Sequence, residues 1–137
     1  MTTIKEDYVN FEIAKLLKEK GFDVYGDGSF NSGIEVFAEY SPSGTLNKCI
    51  ASKPHQKACP APTLQMAMKW LREVHHLYIQ VMLDSWACGG HMGYYVVIQN
   101  TTSDFEIMLQ DALDNVFYDL YEQACEAAIK YCLKNLI

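Results

Sequence analysis

The sequence predicts a single α+β domain over residues 1–137, with helices packed on one face of a four-stranded, mainly antiparallel sheet. Three segments space apolar residues three and four positions apart, as on one side of an α-helix. Two pairs of segments alternate apolar and polar residues around turn-forming residues, which is typical of β-hairpins. The predicted order is therefore helix, hairpin, helix, hairpin and helix.

The first helix is predicted to end at Gly21, after a basic last turn. Two cap signals, at residues 3–6 and at residues 7–10, could each mark its start. Its apolar stripe consists of Val9, Ile13, Leu16 and Leu17. Polar residues lie opposite this stripe, so we expect one buried and one solvated side.

The first hairpin is predicted from residues 34–40, in which apolar and other side chains alternate. The turn sequence Ser41-Pro42-Ser43-Gly44 follows, and residues 45–50 can return as the partner strand. Residues 51–61 contain two prolines and several polar residues, so we expect a loop before the next helix.

The central helix is predicted to begin at Pro62 and Thr63, because proline suits the first turn and a threonine hydroxyl can cap free N–H groups. One apolar face consists of Leu64, Ala67, Met68, Leu71 and Val74. Met66 and Trp70 form a second stripe at i and i+4, so we expect a wide buried face.

The second hairpin follows, where the apolar period changes from about 3.6 to about 2 residues. Residues 77–83 form one strand, and residues 94–99, rich in Tyr, Val and Ile, form the other. The connecting residues 84–93 form a longer loop than a tight hairpin needs. This loop carries Trp86, Cys88 and His91. Loops of this kind often carry function, so it is a candidate site.

The C-terminal part ends in a strongly predicted helix. Residues 105–115 allow either a helix or an extended segment, and residues 119–122 are an acidic variant of the capping box. The predicted buried face consists of Leu120, Ala124, Ala127, Ala128, Tyr131 and Leu136. Cys125 and Cys132 flank this face, and we interpret them as small buried residues.

Composition excludes several classes of function. A formal charge of −6 argues against binding to nucleic acid, which requires clustered Lys and Arg. No apolar run approaches the roughly 20 residues of a membrane span, and the first residues lack the apolar core of a signal peptide. We therefore expect a cytoplasmic protein whose five cysteines are reduced.

Three segments carry a resemblance to a known family: YVNFEIAKLLKEKGFD (residues 8–23), APTLQMAMKWLREVH (residues 61–75) and YEQACEAAIKYCLKNLI (residues 121–137). They resemble small uncharacterised proteins encoded by phages and mobile elements of gut bacteria. The resemblance implies an origin but no activity. It does not extend to the cysteines and histidines of the loops, so any site that they form is particular to this chain.

Two pairs of loop side chains have spacings that suit metal chelation: His55 with Cys59, and Cys88 with His91. Together they supply the Cys₂His₂ set that zinc accepts, so a zinc-stapled structural protein is one hypothesis. A Cys-dependent enzyme with Cys88 as nucleophile and His91 as base is another, although no catalytic signature surrounds them. Apart from zinc, no cofactor is indicated.

The sheet face turned away from the helices is the other candidate site. It could display Phe37, Tyr78, Met82 and the Tyr94–Tyr95 pair, and an exposed aromatic patch implies a partner or a homodimer. The side chains predicted to bind a ligand or partner are Trp86, Trp70, Tyr78, Tyr94, Tyr95 and Arg72. Because no convincing nucleophile, phosphate loop or carboxylate pair is present, we expect a non-enzymatic binding protein. It would act on a host protein or sequester a small signal, such as a nucleotide, in counter-defence.

Overall fold

The computed structural model describes residues 7–22, 38–48, 57–84, 93–110 and 116–137. These residues contain three α-helices, α1 (Phe11–Glu19), α2 (Leu64–His75) and α3 (Tyr121–Tyr131), and a π-helical turn, Cys132–Leu136, continues α3. The strands are β1 (Ala38–Tyr40), β2 (Leu46–Lys48), β3 (Cys59–Pro60), β4 (Leu77–Asp84), β5 (Gly93–Asn100) and β6 (Glu106–Met108).

The strands form two three-stranded antiparallel sheets, with the orders β2-β1-β3 and β4-β5-β6. The α+β class is confirmed, but the predicted single four-stranded sheet is not found among the described residues. The predicted succession of helices and hairpins is not confirmed as such, because an additional strand follows each hairpin. These two strands, β3 and β6, are too short to show a readable alternation of side chains.

β3 lies in the segment that the sequence predicts to be a loop. Tyr40 pairs with Cys59, and the Ala61 N–H donates to the Ala38 carbonyl at 2.9 Å. Pro60 has no N–H to donate, and among the described strands β3 lies at one edge of its sheet, where proline is tolerated. The proline that indicates a loop in the sequence therefore marks the edge of a sheet.

α2 begins after its predicted cap, Thr63, and α1 begins after Asn10, the last residue of the second predicted start signal. The Asn10 side chain accepts a hydrogen bond from the Ile13 N–H at 2.9 Å, and the Thr63 hydroxyl accepts one from the Met66 N–H at 3.2 Å. Gly21 follows α1 with a φ of 103°, a conformation that favours glycine. The alternative start at residues 3–6 lies outside the described residues.

α3 buries most of the predicted face and, in addition, residues beside it. Its buried residues are Ala124, Cys125, Ala128 and Ile129, followed by Cys132 and Leu133 in the π-helical turn. Of the predicted face, only Leu120 is exposed (55%): Ala124 and Ala128 are buried, and the other three residues pack against the core. The two cysteines lie within the buried face rather than beside it. Leu120 is the N-cap of α3 and has an extended backbone, so its side chain does not follow the helical period.

One hydrophobic core joins the helices to both sheets. Among its residues are Leu17, Leu71, Leu133, Ala38, Val96 and Ile98. Trp70 is 2% exposed and meets the ring of Phe22 edge to face, with 5.4 Å between the ring centroids. The sheet β4-β5-β6 turns its other face away from this core.

Candidate binding face

The register of β4, β5 and β6 determines which side chains point away from the core. Directly paired residues of antiparallel strands share a face, and alternate residues change face. Val96 and Ile98 are buried, so their partners Val81 and Ile79 lie on the core side. The opposite face, called here the open face, consists of Tyr78, Gln80, Met82, Tyr95, Val97, Gln99, Glu106 and Met108.

The open face exposes large apolar side chains from both outer strands. Tyr78 and Met82 of β4 are 40% and 42% exposed, and Met108 of β6 is 52% exposed. Val97 and Tyr95 lie half-buried between them on β5. Exposed apolar residues scattered singly are ordinary, but several on one face of a sheet are typical of a surface that binds a partner.

A chain of hydrogen bonds crosses the open face from strand to strand. The Gln80 amide donates to Gln99 Oε1, and the Gln99 amide donates to Glu106 Oε2 at 3.1 Å. These bonds orient the Glu106 carboxylate, which is otherwise free to rotate on an exposed strand. The three polar side chains of the open face are therefore linked to one another across the strands.

A groove of about 470 Å³ lies at one end of the open face, beside the turn from β5 to β6. This acidic groove is lined chiefly by Tyr78, Gln80, Gln99, Asp104, Phe105 and Glu106. No Lys, Arg or His is among the described residues that line it. Its two carboxylates and two aromatic rings favour a cation over an anion.

Arg72 reaches the open face from α2. Its guanidinium carbon lies 5.7 Å from the centroid of the Tyr78 ring, within cation–π range, and its Nε lies 4.0 Å from a carboxylate oxygen of Glu73. Arg72 does not line the acidic groove. The structure therefore brings Arg72 and Tyr78 together, as two of the residues predicted for binding.

The two neighbouring tyrosines of β5 lie on opposite faces. Tyr95 is on the open face, and its ring meets Phe117 edge to face with 6.1 Å between centroids. Tyr94 packs against the core and meets Tyr121, with centroids 5.9 Å apart. Because side chains alternate along a strand, the predicted display of both tyrosines on one face does not occur.

Other predicted residues lie elsewhere. Trp70 is enclosed in the core and has no ring face turned to solvent. Trp86 and Phe37 lie outside the described residues. The sequence reasoning missed Asp104, Phe105, Glu106 and Met108, since residues 105–115 gave mixed signals. β6 has only three residues, too few for an alternation that would distinguish a strand from a helix there.

Only one residue of the predicted zinc site is described. Cys59 lies half-buried on β3, whereas His55, Cys88 and His91 are outside the described residues. The described part of the chain contains no group of three or more His, Cys, Asp or Glu side chains placed to hold a metal ion. The zinc site and the Cys88–His91 nucleophile remain predictions from the sequence.

Burial shifts the pKa of several described side chains, among them two cysteines and a histidine. Burial raises the pKa of the Cys125 thiol to about 11 and that of Cys132 to about 12, so both thiols are protonated and unreactive at neutral pH. His75 Nε2 is buried without a hydrogen bond to any described residue, and its ring meets Trp70 at 4.6 Å between centroids. Burial, with a smaller effect of His76, lowers the pKa of His75.

Comparisons with models of protein families, with curated proteins and with solved structures found no match to this chain. Within the described residues, no helix combines the length and the apolar character needed to cross a membrane. The open face and the acidic groove are therefore interpreted from their own chemistry.

Proposed function

We propose that this chain is a small, non-enzymatic binding protein of phage or mobile-element origin. It acts in the bacterial cytoplasm on a host protein, as part of counter-defence. The origin rests on the resemblance of the three helical segments. The binding role rests on one observation, the exposure of Tyr78, Met82 and Met108 together on the open face. Covering such side chains removes apolar area from water and contributes about 25 cal/mol per Å².

The acidic groove favours a protein target over a sequestered nucleotide. Nucleotide phosphates would meet the carboxylates of Asp104 and Glu106, and no cationic side chain among the described lining residues offsets them. Trp70 is enclosed in the core and cannot stack on a base. Arg72, the only arginine in the sequence, already lies on the Tyr78 ring.

The proposal is tested by replacing one apolar residue of the open face. The tagged full chain is expressed in a bacterial host as wild type, as Met82→Gln and as Leu46→Gln, and co-purified proteins are quantified by mass spectrometry. Burying an amide where a thioether packed costs about 1–3 kcal/mol, so Met82→Gln should recover at least about fivefold less partner.

Leu46→Gln is the matched control, because Leu46 is also an exposed strand residue (37%) but belongs to the other sheet. Equal recovery by all three proteins would contradict the proposal. Recovery of this chain alone, with a dimer mass by light scattering, would instead assign the open face to a homodimer.

A further inference from the structure

We propose that the acidic groove binds the side chain of an arginine or lysine on the protein that covers the open face. This inference rests on the proposed function and adds the chemistry of the partner. The groove is continuous with the open face, since Tyr78, Gln80, Gln99 and Glu106 belong to both. A partner segment that covers the apolar residues therefore passes directly over the groove.

The side chains of the groove complement a guanidinium or ammonium group. Asp104 and Glu106 supply carboxylate oxygens, which form short, charge-assisted hydrogen bonds with Lys and Arg. Tyr78 and Phe105 supply aromatic rings whose faces attract cations. Because the Arg72 guanidinium already lies against the Tyr78 ring, the incoming cation would depend chiefly on the Phe105 ring and the two carboxylates.

The groove is also preorganised. The chain of bonds from Gln80 through Gln99 orients the Glu106 carboxylate. The turn bearing Asp104 is held by the Asn100 side chain, which accepts hydrogen bonds from the Thr102 N–H and hydroxyl, each at 2.8 Å. The Thr101 N–H donates to the His76 carbonyl at 2.8 Å, which ties this turn to the end of α2. Groups already ordered lose less entropy on binding.

The net charge of the whole chain also favours a cationic partner. The formal charge of the chain is −6, so a basic segment is attracted before contact and a phosphate is repelled. A single partner can therefore make both the apolar contacts on the open face and the charged contacts in the acidic groove. That partner presents a protein segment with apolar side chains followed by an Arg or Lys.

A titration of isotopically labelled protein followed by NMR tests the groove without the natural partner. The probes are Nα-acetyl-arginine amide and Nα-acetyl-citrulline amide, which have nearly the same shape but differ in charge. We expect saturable shifts of the backbone signals of residues 99–106 with the arginine probe, and at least about fivefold weaker binding of citrulline. The variant Asp104→Asn/Glu106→Gln should lose that preference, whereas Leu46→Gln should keep it.

Equal binding of the two probes, or an unchanged preference in the double variant, would overturn the inference. Tighter binding of adenosine monophosphate than of the arginine probe would overturn it too, and would favour a nucleotide ligand. The two proposals fail separately. Loss of charge preference leaves the Met82-dependent capture intact, whereas equal capture by Met82→Gln leaves the arginine titration unaffected.

Discussion

His75 illustrates how packing can enclose one ring nitrogen of a partly buried histidine. Its Nε2 is enclosed without a hydrogen bond to the described residues, and its ring packs against Trp70. Burying a polar nitrogen without a partner costs free energy, and burying it charged costs more. The neutral form is therefore favoured in the folded protein, as the lowered pKa indicates.

This lowered pKa predicts a loss of stability in mild acid. The unfolded chain binds a proton at His75 near its ordinary pKa of about 6.5, whereas the folded protein resists it. Stability is therefore fully present above that pH and falls as the pH decreases through the lowered pKa. Urea denaturation between about pH 7.5 and pH 5.5 should show a decrease for the wild type and a smaller one for His75→Phe.

The comparison with His75→Phe isolates this group from others that titrate. Glu126 has the opposite sign, because burial, followed by Asp7 and Glu122, raises its pKa and favours folding as the pH falls. Its effect is the same in both proteins and cancels in the difference. Parallel pH profiles for the two proteins would contradict the assignment to His75.

At the scale of elements, the hairpin β1–β2 depends on a glycine that touches the first helix. Gly44 has a φ of 93°, and a Cβ added there would lie 3.0 Å from Cδ2 of Phe11. Gly21 has a φ of 103°, but an added Cβ would meet nothing within 4 Å. Both positions require a positive φ, but only at Gly44 would an added Cβ touch another side chain.

This pair gives a matched prediction. Gly21→Ala should cost about 1 kcal/mol, because alanine is strained at positive φ. Gly44→Ala should cost more than Gly21→Ala, because Phe11 must also move from its position against Tyr40. The free energy of unfolding of each variant, from urea titration, measures this order. Equal losses of unfolding free energy in the two variants would show that the Phe11 ring moves aside without destabilising the fold.

Elements with many periodic residues were predictable, and short or irregular ones were not. The cap at Thr63, the start of α1 within residues 7–10 and the hairpin β4–β5 follow from local signals in the sequence. β3 and β6 have too few residues to show a period, and their pairing depends on strands distant in the sequence. The acidic groove forms largely on the turn before β6, so the sequence could not place Asp104 beside Tyr78.

At the scale of the whole molecule, both sheets contribute to a common hydrophobic core. Ala38 comes from one sheet and Val96 from the other, and Trp70 lies in the same core. Chains organised around one core usually unfold in a single cooperative step. The open face remains outside this core, so substitutions there should alter binding more than stability.

Cooperativity can be tested through Trp70. The sequence contains two tryptophans, so Trp86→Phe leaves Trp70 as the single fluorescent indole. Its fluorescence and the far-ultraviolet circular dichroism should show the same midpoint temperature, because core packing and secondary structure are lost together. Two separate midpoints would show that the sheets unfold independently.

The register between β4 and β5 constrains how this protein can change over evolution. Ile79 and Val81 face the core while their neighbours Tyr78, Gln80 and Met82 face outward. Inserting or deleting one residue within β4 would exchange these two sets and place polar side chains in the core. Point substitutions do not disturb this alternation. New partners are therefore accessible through replacement of outward residues one at a time, while changes in chain length are confined to the connections between strands.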